Sequence, residues 1–110
     1  MSLFVDTPHD DKDAFRDFLF ANALSHSQIA VALEQGGKPI SVSPITDMGD
    51  NAANWLDVHA RMHEQEFVQL GLTDMPDLRD VDFEDAAQYH DWMELHAIVH
   101  VAVNQALGLN

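Results

Sequence analysis

Two pairs of histidines, His59 with His63 and His96 with His100, stand four residues apart. On a helix that spacing sets two imidazoles on one face, one turn apart. Each pair can therefore offer two ring nitrogens to a single partner. A second helix can complete four ligands, and a third carrying His26 can help to offer a facial set of three imidazoles. Zn²⁺ or another divalent ion is the cofactor such a set would take. The same residues can work without a metal, because an imidazole between helices can donate one ring N–H to a carbonyl, an Asn or a carboxylate and fix how the helices pair.

The elements that must position these residues come from an internal repeat. Displaced by 37 residues, WLDVHARMHEQEFVQLGL (55–72) aligns with WMELHAIVHVAVNQALGL (92–109), with seven of eighteen positions identical. A further displacement by 37 reaches FLFANALSHSQIAVALEQ, where Phe18, Ala23, His26 and Leu33 occupy the matching places and Asn22 stands where the other copies have His59 and His96. Aromatic, Asn or His, His and Leu at spacings of four, eight and fifteen form one helical stripe. Phe18, Asn22, Trp55, Trp92, Leu33, Leu70 and Leu107 are thus expected in the core, with the histidines facing inward.

These spacings predict an all-α fold in one domain, 1–110. It is a small bundle of three 37-residue repeats (about 10–46, 47–83 and 84–110), each one helix plus an extended linker. Helices are expected at about 11–34, 48–70 and 84–107, with a break near Ser25, where SHSQ resembles a capping box. Acidic first turns suit the helix dipole, and Gly36-Gly37, Gly71 and Gly108 are the stops. In the first linker Ile40, Val42 and Ile45 alternate with polar residues, as in a short strand or an extended strap. Leu78, Val81 and Phe83 should anchor the second. Linkers of about 13 residues can return the chain along a helix at ~3.3 Å per residue, so parallel and antiparallel packings are both reachable. Antiparallel neighbours are the commoner arrangement in bundles.

Composition narrows the function classes. Nineteen acidic residues against five basic ones give a net charge of −14, which disfavours nucleic acid and anionic membranes as partners. The absence of Cys excludes disulfides and thiolate metal sites. The opening MSLFVDTPHDDKD lacks the basic and apolar regions of a signal peptide, and no apolar run reaches the ~18 residues of a membrane span, so a soluble cytosolic protein is expected. The runs PHDDKD and DVDFEDAA lack the Gly and closing Glu of a calcium loop and read as solvated helix starts. An acidic inhibitor that mimics DNA would need carboxylates along a stripe, whereas here they cluster at helix starts and in linkers.

Between the two uses of the histidines, the hydrogen-bonded one is preferred from sequence. The first copy has lost its first His without losing the pattern, and no Cys or Glu recurs at the same period as an additional ligand. His26, His59, His63, His96 and His100 then stand as core residues first and metal candidates second. His9 and His90 do not repeat and read as solvated. Acid–base catalysis also needs a cleft and an oriented nucleophile or water. Neither is visible, so no catalytic residue is assigned and a non-enzymatic protein is expected.

The last helix is apolar nearly all round. Its outer side carries Ile98, Val101 and Ala102, which a three-helix core cannot enclose, so this strip is expected to meet another subunit. FLFANALSHSQIA, WLDVHARMH and DLRDVDFEDAAQYHDWMELHAIVH with a terminal NQALGL resemble small structural proteins of tailed bacteriophages. The resemblance implies a virion component made in the bacterial cytoplasm, a head-tail connector, neck or capsid-associated subunit that contacts itself and other virion proteins. It implies no catalytic residue. The expectation from sequence is therefore a structural subunit of a virion, with a His-rich metal-binding helical protein as the alternative.

Overall fold

The computed structural model describes residues 11–41 and 52–109. It contains α1 (Lys12–Gln35), α2 (Ala52–Leu70) and α3 (Ala86–Leu107), and no strand among the described residues. The helices form a bundle of 40 × 23 × 23 Å.

Caps set the helix ends. Asp11 accepts from the Ala14 amide at the start of α1, and Asp85 accepts from the Ala87 and Gln88 amides at the start of α3, so that helix begins two residues later than the periodicity suggests. At the other ends, the amides of Lys38, Leu72 and Leu109 donate to the carbonyls of Leu33, Phe67 and Asn104 at 2.8 to 2.9 Å. These closures turn at Gly37, Gly71 and Gly108, whose positive φ values (77°, 68° and 71°) a side chain would oppose. The expected break at Ser25 is absent. The segment has no Pro or Gly, and the buried Asn22 and His26 on either side of Ser25 hold the turn against the other helices.

The three helices run parallel, unlike the commoner antiparallel neighbours. Trp55 meets Trp92, His59 meets His96, and His63 meets His100, so α2 and α3 keep the same order along the axis. α1 joins in that order, with Phe18 on Trp92 and His26 on His63 and His100. Residues 71–85 provide the return. Leu78 is fully buried there, and its carbonyl accepts from Trp92 Nε1 at 3.0 Å. Arg79 pins the strap to α2, donating to both carboxylate oxygens of Glu64 (3.1 and 2.9 Å) and to Asp57 (2.8 Å). In the first linker, Ile40 packs on the core and the Ser41 amide donates to Gln65 at 2.8 Å. The possible strand through Val42 and Ile45, and the expected start of α2 at 48, lie outside the described residues.

The core is layered along the axis. Phe15, Phe18, Trp55, Phe83, Tyr89 and Trp92 form an aromatic layer near the helix starts. Ile29, Leu33, Phe67 and Val103 are buried nearer the helix ends, with Leu70 and Leu107 partly buried against them. The histidines lie between.

Candidate metal centre

His26, His59, His63, His96 and His100 are each no more than 1% exposed, and one ligating atom from each can be chosen so that all five lie within 4.8 Å of one another. Parallel packing brings this about, because it sets the same turn of each helix at the same height. His59 Nε2 is the hub, 3.2 Å from Nε2 of His26, 3.1 Å from that of His63 and 3.1 Å from that of His96. His96 Nε2 is in turn 2.9 Å from His100 Nε2.

The far sides of the rings set their tautomers. His26 Nδ1 donates to Glu66 at 2.7 Å and His63 Nδ1 donates to its other oxygen at 2.9 Å. A carboxylate only accepts, so both Nδ1 atoms carry hydrogen, and a ring in that tautomer, when neutral, presents its lone pair at Nε2. Burial alone would raise the Glu66 carboxyl. The two imidazole donors outweigh it and hold the group at about 2, ionised at any ordinary pH. Ser25 Oγ lies 3.3 Å from His100 Nδ1. The indole of Trp55 stacks on His59, and that of Trp92 on His96, each at 4.6 Å and 10°, which fixes both ring planes.

With both rings neutral, the lone pairs of His26 and His63 face His59 Nε2. A hydrogen there cannot point at His26, His63 and His96 together, and without it three lone pairs face one another. Burial also opposes charging the rings. It pushes His59, His96 and His100 well below 6.5, with neighbouring imidazoles adding to the effect, and it brings His63 down to about 4 against the opposing pull of Glu66. A cation at the centre would turn each short N–N contact into an edge shared by two ligands. Glu66 would then sit behind two of those ligands as the carboxylate that orients metal-bound imidazoles.

Asn22 belongs to the same face of α1, one turn before His26. It is 1% exposed, and its Oδ1 has no hydrogen-bond partner among the described residues. Nor has Nδ1 of His59. Phe18, Trp55, Trp92 and Leu33 are buried, and Leu70 and Leu107 only partly so. Ile98 and Val101 are exposed and Ala102 is half-buried. His90 is on the surface, 3.7 Å from Glu94, and His9 lies outside the described residues.

Glu66 is the site residue that sequence reasoning missed. The 37-residue spacing held its signal, since the positions 37 before and 37 after Glu66 are the buried Ile29 and Val103. An acid in that register must be paired.

None of the described helices is long and apolar enough to cross a membrane. No family model matches the chain, and neither a curated protein nor a solved structure matches it.

Proposed function

We propose that the chain is a non-enzymatic metal-binding helical protein, in which the five histidines hold one divalent first-row ion and so tie three parallel helices together. The convergence of Nε2 atoms on His59, with Glu66 fixing two lone pairs inward, carries this reading. Imidazole nitrogen suits Zn²⁺, Ni²⁺, Cu²⁺ or Fe²⁺ better than the hard cations Ca²⁺ and Mg²⁺. Rings this deeply buried suit a structural ion, which needs no open position for substrate. We favour this over the metal-free hydrogen-bonded layer preferred from sequence because one hydrogen on His59 Nε2 can serve only one of its three short contacts.

Three copies of a 37-residue unit account for the arrangement. Each copy contributes an aromatic and one or two ligands at the same height. The matching stacks of Trp55 on His59 and Trp92 on His96 support that origin.

The test is thermal melting of untagged protein before and after chelation. An ion at 100 times its Kd adds about 2.7 kcal/mol, roughly 10 °C or more in a domain of this size. Chelation should lower the melting temperature by that order, and one equivalent of Ni²⁺ or Zn²⁺ should restore it. A melting temperature indifferent to both treatments contradicts the reading.

A second reading, compatible with the first, is a subunit of a larger assembly. The outward strip of Leu95, Ile98 and Val101 on α3 favours it. Together with the resemblance to phage structural proteins, it supports a virion component that contacts itself and other virion proteins through α3. The metal would then be a staple inside each subunit.

A further inference from the structure

We propose that Asn22 supplies the sixth ligand, through Oδ1, to an octahedral divalent ion held by the five histidines. The inference rests on the reading of those histidines as ligands and adds a coordination number, a donor atom and a class of ion.

The N–N distances favour six-coordination. With metal–nitrogen bonds of about 2.1 Å, neighbouring donors stand roughly 3.4 Å apart in a tetrahedron and roughly 3.0 Å apart in an octahedron. The four short contacts here are 3.2, 3.1, 3.1 and 2.9 Å. Opposite donors of an octahedron would be about 4.2 Å apart on the same bond length, inside the 4.8 Å that contains all five nitrogens.

The topology leaves one position for Asn22. An octahedron viewed along its threefold axis is two facing triangles. The lower turn of the bundle provides His59 and His96, and the upper turn provides His26, His63 and His100. Each vertex has four adjacent vertices and one opposite. His59 has His26, His63 and His96 as close neighbours, so His100 falls opposite and one adjacent vertex is unfilled. That vertex lies in the lower triangle on the α1 side. Asn22 is the α1 residue 37 positions before His59 and 74 before His96. Its side chain is buried and its carbonyl oxygen is unpartnered among the described residues. A buried amide oxygen without a donor is costly, and coordination would satisfy it. Replacement of His by Asn in the first copy then changes the donor from nitrogen to oxygen without emptying the position.

A five-nitrogen, one-oxygen octahedron suits ions that readily take six ligands, such as Ni²⁺, Co²⁺ and Fe²⁺, and disfavours the tetrahedral preference of Zn²⁺.

The experiment compares Co²⁺-loaded wild type with Asn22→Ala and Asn22→His by electronic absorption, with and without azide. The wild type should show the weak bands of six-coordinate Co²⁺ and be unchanged by azide. Asn22→Ala should bind azide with a saturable spectral change, and Asn22→His should be azide-insensitive with bands shifted by the stronger nitrogen donor. In competition, Asn22→Ala should lose roughly tenfold or more of the wild-type preference for Ni²⁺ over Zn²⁺. Azide binding to the wild type, or a spectrum unaltered in both variants, overturns the assignment of Asn22 while leaving the histidine site intact. Failure of the wild type to bind Co²⁺ removes the metal reading itself.

Discussion

At the scale of the residue, Glu66 orients two of the five imidazoles. By fixing hydrogens on Nδ1 of His26 and His63 it turns the Nε2 atom of each ring toward the centre. Glu66→Gln replaces one accepting oxygen by a donor and frees one ring to flip. We expect metal affinity to fall by about 10- to 100-fold, the usual effect of losing a carboxylate behind a ligand, which a competitive chelator titration measures. His59→Ala removes the hub, so it should destabilise the metal-loaded protein more than the chelated one. Equal losses under both conditions would assign His59 to packing alone. In the metal-free protein the buried rings also set the pH dependence. His63 titrates at about 4 in the fold against 6.5 unfolded, and His59, His96 and His100 are likewise lowered, so the unfolded chain takes up protons first. Stability is therefore complete above about 6.5 and is lost as pH falls towards 4. Glu66, lowered to about 2 from 4.5, extends the loss below that window. Chelated protein whose melting temperature is flat from pH 7.5 to 5 would mean that the rings are accessible to water. The histidine stripe was legible in the sequence because its period is helical. Glu66 was legible only as an acid in an apolar register, and its joint pairing with His63 and His26 was not, because His26 lies in another helix forty residues away.

At the scale of the element, the second linker is part of the core. Leu78 fills it from outside the helices, and its carbonyl takes the Trp92 indole N–H. Leu78→Ala should cost about 2 to 5 kcal/mol in denaturant unfolding, as for other buried leucines. A loss below about 0.5 kcal/mol, typical of a surface site, would mean that the strap floats. Helix ends were readable from Gly37, Gly71 and Gly108, which carry their own conformational signature. Helix direction was not, because linkers of this length reach either end of the next helix. The aromatic and histidine ladders settle it, since each rung pairs residues 37 apart in α2 and α3. The unbroken course of α1 through Ser25 is a tertiary effect of the same kind. A local capping pattern yields there to the packing of Asn22 and His26.

At the scale of the whole molecule, three parallel helices align their dipoles, an arrangement that gains nothing from antiparallel compensation. In the proposed reading, a cation shared at mid-height would offset this by joining all three helices at once. The outer face is a separate matter. Ile98→Glu with Val101→Glu should reduce self-association in sedimentation experiments without altering metal content, because both side chains point away from the site. Loss of metal together with the oligomer would place the site between subunits instead. The central claim, one ion per chain inside the histidine cluster, is tested most directly by native mass spectrometry of untagged protein at neutral pH. Every oligomer observed should carry as many divalent ions as chains, and His59→Ala should shed them. A metal-free wild type that also fails to take up added Ni²⁺, Co²⁺ or Zn²⁺ would contradict the account.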